Sequence, residues 1–239
     1  MAADRIFPGI ILSTVLFIVF FIFLFYGKHA SERKCLRIPN NGSLRRVVLE
    51  RITGFFLFGF MPGIAILHFI PGLKASDLGL VLPGRGWVIP ALLFWLTLIA
   101  FMARYTGNPA LLAHYPQIRK IPWGKNIQLI NIFTWILYLA GYEFLFRGLL
   151  VFPLLGRFGI TGTILINIIV YTLAHVHKDK REIAGAAVFG IFLVLMTIYS
   201  GSVWLSFMSH LTLALSNDYF SYRAHRRIQL LKQNKHDSL

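Results

Sequence analysis

The chain has 239 residues, of which 56% are hydrophobic, 15% aromatic and only 14% charged, and its mean hydropathy of +0.67 excludes an ordinary soluble domain. Its 24 Lys and Arg against 9 Asp and Glu give a net charge of +15. In a soluble protein that excess points to nucleic acid, but here it falls between apolar runs, so a lipid bilayer rather than nucleic acid is the expected partner. The single cysteine, Cys35, has no partner within the chain and reads as a surface thiol.

A spanning helix needs roughly 20 apolar residues, and seven stretches, uncharged but for Glu143 and Arg147 in the fourth, come near that length: Pro8 to Tyr26, Thr53 to Leu73, Trp87 to Met102, Ile127 to Leu155, Ile160 to Val176, Ile183 to Ser200, and Ser202 to Asn217. They predict an all-α fold, a polytopic transmembrane helical bundle of about seven spans, with eight as the alternative count, forming a single integral membrane domain over residues 1–239. The first stretch has too long an apolar core for a signal peptide and is expected to remain in the mature protein. The fourth is long enough to tilt or to kink at Gly141.

With seven spans, 19 of the 24 Lys and Arg fall on one side of the membrane. They are Lys28, Arg33, Lys34, Arg37, Arg45, Arg46 and Arg51 in the first inter-span loop, Arg104, Arg119, Lys120 and Lys125 in the third, Lys178, Lys180 and Arg181 in the fifth, and Arg223, Arg226, Arg227, Lys232 and Lys235 in the tail. The other side holds Arg5, Lys74, Arg85 and Arg157, and Arg147 lies inside a span. The positive-inside rule then puts the N-terminus outside and the C-terminus in the cytoplasm.

A charge at the bilayer centre costs roughly 2.5–3.5 kcal/mol even on insertion scales, which makes ionisable residues within spans functional candidates. The fourth span carries Glu143 and Arg147 at i and i+4, a self-neutralising pair in the favourable order. The fifth ends with Tyr171 and His175, with Asn167 two turns before that histidine, and the seventh carries His210, followed by Ala214 and Asn217. Counted from the turn at Gly156 to Gly159, Glu143 lies about 18–20 Å deep and His175 about 24 Å, while His210, counted from Gly201, lies about 13 Å deep. A carboxylate with two imidazoles suits hydrolysis, and the same trio suits a metal site or a proton relay. The plainer alternative is a structural ion pair and two hydrogen-bonded histidines. His68 is expected in the core, and His177 at the interface.

The run Glu143-Phe144-Leu145-Phe146-Arg147-Gly148, the pair Tyr171 and His175, and His210 resemble, in order, the three motifs of the CPBP family of intramembrane proteases. These are CAAX-type prenyl proteases and bacteriocin-processing or self-immunity (Abi-type) enzymes, and the likeness covers residues 139–217. It implies an intramembrane endopeptidase of glutamic type that cleaves a membrane-embedded or lipid-anchored peptide in a bacterial inner membrane, without a cofactor. Glu143 and His175 would activate water, His210 would hold the oxyanion and Arg147 would hold Glu143, with Tyr142, Tyr171 and Asn217 in support. Zinc on Glu143, His175 and His210 is the alternative chemistry. Two positions depart from the pattern: Tyr142 stands where the family has the first Glu of a pair, and Ala214 where it has Asn. Those departures suit a second reading, a catalytically impaired relative serving as a membrane binding or immunity module. A proton- or ion-coupled transporter is the third.

Overall fold

The computed structural model describes residues 43–105, 108–175 and 180–237. The expected first span, Cys35 and His177 lie outside the described residues.

Ser43 opens the first helix, α1 (Leu44–Phe55), its side chain accepting from the Arg46 amide. A π-helical turn, Phe56–Phe60, carries the chain into α2 (Met61–Phe69). The later helices are α3 (Val88–Tyr105), the short α4 (Pro109–His114), α5 (Lys125–Glu143), α6 (Phe152–Leu173), α7 (Lys180–Ser200) and α8 (Val203–Asp237). A second π-helical segment, Phe144–Val151, joins α5 to α6. Among the described residues there is no strand, and four helical stretches are long and apolar enough to cross a membrane: Leu44–His68, Arg85–Tyr105, Lys125–Leu173 and Ile183–Ser200.

The third of these doubles back on itself. At Gly159 the backbone leaves the helical region (φ 64°, ψ −172°), a conformation that glycine adopts without the steric cost a Cβ would bring. Beyond it the Asn167 side chain reaches the Phe146 carbonyl and the Tyr171 ring meets Tyr142. Later residues thus pair with earlier ones, as in an antiparallel hairpin, which accounts for the sequence's separation of this stretch into two spans at Gly156 to Gly159.

Two expected boundaries move. The stretch expected to begin at Thr53 begins at Leu44, so Arg45, Arg46 and Arg51 belong to α1 rather than to a loop, and Arg51 is only 3% exposed. The helix expected to end at Asn217 continues to Asp237. His68, expected in the core, is exposed on α2.

The helices set buried polar stripes into an otherwise apolar interior and turn apolar side chains outward, as lipid permits. On α5 the buried stripe includes Asn131, Thr134 and Glu143, while Leu129, Ile132 and Phe133 face outward. On α8, Ser206, Ser209 and Asp218 are buried, and Trp204, Met208 and Tyr219 are exposed. Where α1 runs into its π turn and crosses α5, a Cβ on Gly59 would stand 2.7 Å from the Gly141 Cα. Backbone meets backbone there, the close approach that small residues permit in membrane bundles.

Arg51 explains why the polar stripes face one another. Its Nη1 donates to the Asn131 carbonyl and side chain (3.2 and 2.9 Å) and to Thr134 (3.0 Å), and its Nη2 to Gln117 (2.9 Å) and Asp218 (3.3 Å). The Asp218 carboxylate also accepts from the Trp135 indole (2.7 Å) and the Gln117 amide (3.0 Å), and the guanidinium lies 3.9 Å from the centre of the Trp135 ring. One ion pair therefore ties α1, the segment before α5, α5 and α8. Removing one partner of a buried pair strands the other charge, at a cost of about 3–5 kcal/mol, whereas replacing both by apolar groups is close to neutral. Asp218→Leu is expected to lower the unfolding midpoint of the detergent-solubilised protein markedly, and Arg51→Met with Asp218→Leu to restore most of it.

Candidate functional site

Glu143 stands where α5 gives way to the π-helical segment, and both it and Arg147 are fully buried. π-Helical insertions recur at functional sites, because the wider turn re-aims side chains. Here Arg147 Nε donates to Glu143 Oε2 at 2.9 Å. Its Nη1 donates to the Asn167 side-chain oxygen, whose amide in turn donates to the Phe146 carbonyl at 2.8 Å. The guanidinium lies 4.9 Å from the centre of the Tyr171 ring, so hydrogen bonds and a π face both compensate its burial.

The second carboxylate oxygen reaches across the bundle. Glu143 Oε1 lies 2.6 Å from Nδ1 of His210, which α8 supplies 67 residues later. A carboxylate facing Nδ1 makes that nitrogen the N–H donor and leaves Nε2 with the lone pair. The His210 side chain keeps 15% exposure while the two charged residues have none, so the imidazole is the accessible end of the chain running from His210 through Glu143 and Arg147 to Asn167. Depth counted along the chain separates Glu143 from His210 by one to two turns, and the observed contact absorbs that difference.

His175 follows the end of α6. Its Nδ1 donates to the Tyr171 carbonyl at 2.8 Å, since a carbonyl can only accept. Its ring lies 4.9 Å from the Tyr171 ring, which also stands 6.5 Å from the His210 ring. The two imidazoles therefore border one tyrosine. Tyr171 packs so closely on α7 that a Cβ on Gly190 would come within 2.8 Å of its Cδ1. Tyr142 and Phe189 set their rings edge-on to His210 at 5.6 and 5.9 Å.

The departures from the motif pattern are also placed. Tyr142 is 5% exposed, its ring among Phe58, Tyr138, Phe146 and Tyr171, and its hydroxyl has no hydrogen-bond partner among the described residues. Ala214, one turn beyond His210, is buried in the same apolar cluster. The Asn217 side-chain oxygen likewise has no partner among the described residues, so it accepts no hydrogen bond from His210. Among those residues no group of three or more His, Cys, Asp and Glu is placed to hold a metal ion. Sequence reasoning missed the grip of Asn167 on Arg147 and the whole Arg51–Asp218 network. Asn131, Thr134 and Asp218, polar residues in or beside apolar stretches, were the available signal.

Residues 122–216 match the family model described as type II CAAX prenyl endopeptidase Rce1-like. The matched segment takes in Glu143, Arg147, Tyr171, His175 and His210, and the resemblance to the CPBP family is shown over that segment as a whole. No curated protein and no solved structure matches the chain.

The buried ion pair makes its own prediction. Arg147→Met leaves Glu143 charged without its partner and is expected to destabilise by about 3–5 kcal/mol. Adding Glu143→Gln should recover much of that loss. Unfolding midpoints of the wild type and the two variants in detergent provide the measurement.

Proposed function

Taking residues 122–216 as a segment of the type II CAAX prenyl endopeptidase Rce1-like kind, we propose that the chain is an intramembrane endopeptidase of glutamic type that hydrolyses a membrane-embedded or lipid-anchored peptide. The observation that carries this reading is the 2.6 Å contact between Glu143 and His210 inside the bundle. A carboxylate held by Arg147 fixes and polarises the imidazole, whose Nε2 takes a proton from water as the water attacks the scissile carbonyl. The resulting imidazolium then returns that proton to the leaving amine. Glu143 thus acts through His210, because both its oxygens are engaged and it has no exposed surface. His175, with Nδ1 committed to the Tyr171 carbonyl, borders the same tyrosine ring as His210. No cofactor enters this scheme, and elemental analysis of the purified protein tests it against the zinc alternative.

Cleavage of an S-prenylated peptide ending in a CAAX sequence, by full-length protein in lipid nanodiscs, is the direct test. Glu143→Gln and His210→Ala are each expected to lower kcat by about 10²–10⁴-fold, the range for losing general-base catalysis; His210→Ala should do so with the unfolding midpoint little changed, whereas Glu143→Gln, which strands the buried Arg147, should also lower the midpoint. Cleavage at the wild-type rate in both would overturn this assignment of the site, and no cleavage by the wild type would leave the second reading, a membrane binding or immunity module. The substitutions at Tyr142 and Ala214 favour that reading.

The proposed placement is a bacterial inner membrane crossed about seven times, N-terminus outside. The exposed cations of the α8 extension, Arg223, Arg226, Arg227 and Lys232, support a cytoplasmic C-terminus. In a Cys35→Ser background, Arg226→Cys is expected to resist a membrane-impermeant maleimide in intact cells and to react once they are opened.

A further inference from the structure

The hydrogen bonds of the site leave its chemistry one group short. Acyl transfer needs a donor aimed at the oxygen on which negative charge develops. His210 gives its Nδ1 proton to Glu143 and His175 gives its own to the Tyr171 carbonyl, so each neutral imidazole presents Nε2 only as an acceptor. Ala214, where the resembling family has Asn, has no polar atom. Asn167 spends its amide on the Phe146 carbonyl. Arg147, wholly buried, directs Nε and Nη1 at Glu143 and Asn167 and lies over the Tyr171 ring, with its Nη2 left without a hydrogen-bond partner among the described residues.

Of the donors left unspent among the described residues, the Tyr142 hydroxyl is the one whose own ring packs against His210. The Tyr142 hydroxyl is buried without a hydrogen-bond partner among the described residues, on a ring that meets His210 edge-on at 5.6 Å. The ring alone accounts for the packing against Phe58, Tyr138, Phe146 and Tyr171, and phenylalanine would supply it without stranding a polar atom. A buried, unsatisfied hydroxyl carries a desolvation cost, which is offset if a bound molecule supplies the acceptor.

Resting on the endopeptidase reading, we infer that Tyr142 is a catalytic residue whose hydroxyl donates the hydrogen bond that stabilises the tetrahedral oxyanion. Water oxygen bonds to the carbonyl carbon as His210 Nε2 takes its proton, and the carbonyl π pair moves onto oxygen, where Tyr142 O–H meets it. The tyrosine keeps its proton throughout. Collapse re-forms the carbonyl, the C–N bond breaks, and the amine leaves with the proton from His210. Tyr142 thereby fills the role left by Ala214 from the position where the family has its first Glu.

The test compares wild type with Tyr142→Phe on an S-farnesylated CAAX peptide, together with the affinity of an otherwise identical peptide aldehyde, whose hydrate resembles the tetrahedral state, against its alcohol. The inference expects kcat to fall about 10²–10³-fold with KM and the unfolding midpoint little changed, and the wild-type preference for aldehyde over alcohol to shrink by a similar factor. A Tyr142→Phe protein with unchanged kcat and unchanged aldehyde preference overturns the inference alone, provided that Glu143→Gln and His210→Ala are inactive. Wild type that neither cleaves the peptide nor prefers the aldehyde overturns both this inference and the endopeptidase reading. A loss of activity that parallels a lowered unfolding midpoint, with the aldehyde preference intact, also overturns it.

Discussion

The Glu143 carboxylate is the constraint from which the rest of the bundle can be derived. With no exposed surface and a hydrocarbon surround, it must find a partner for each oxygen or give up its charge. The chain supplies Arg147 one turn along for one oxygen and His210 from α8 for the other. Each partner then has requirements of its own. Arg147 draws Asn167 across from the second arm of the hairpin and lies against Tyr171, and Asn167 takes up the Phe146 carbonyl. The antiparallel course of the chain through Gly159, the π-helical widening and the docking of α8 can be read as one solution to this neutralisation.

The second ion pair makes α8 the element that both polar centres share. Asp218 lies two helical turns beyond His210, about 12 Å along the axis, and is held by Arg51, Trp135 and Gln117. A helix pinned at two points cannot slide or rotate at either without breaking charge-assisted bonds in the other. Geometric fidelity at a pair 2.6 Å apart matters, because a general base displaced by an ångström loses much of its effect. Lipid-facing surfaces such as Leu129, Ile132 and Phe133 contribute nothing to that registry, since hydrocarbon solvates them equally well in any rotation. In lipid, orientation comes from the polar stripe.

How much of this could be read from the residues follows from the range of each interaction. The Glu143 and Arg147 pair is local, four positions apart on one helix, and the sequence shows it directly. The hairpin was visible because the run Gly156 to Gly159 breaks an apolar stretch. The pairing of Glu143 with His210 rather than with His175 was not visible, because it depends on how α8 rotates against α5, and depth counted along the chain placed the two residues at different levels. Arg51 read as a loop cation because charge near an apolar run ordinarily marks its end. Its partners Asn131, Thr134 and Asp218 lie 80 to 167 residues away, so nothing in its own neighbourhood announces that it is buried.

The two departures from the motif pattern take on a common meaning once hydrogen bonds are assigned. In isolation Tyr142 is a lost base and Ala214 a lost donor. On the endopeptidase reading, the base function needs no second acid at position 142, because Glu143 already orients His210 and the imidazole alone need meet water. What that arrangement lacks is a donor, since each neutral imidazole has committed its N–H to an oxygen of the protein. A phenol is a poor base at neutral pH but a competent neutral donor, with an ordinary pKa near 10. Its strengths and weaknesses are the reverse of a carboxylate's. Exchanging an acid for a phenol at one position and an amide for a methyl group at another therefore gives up a carboxylate acceptor that His210 makes dispensable on the proposed reading, while moving the donor from α8 to α5.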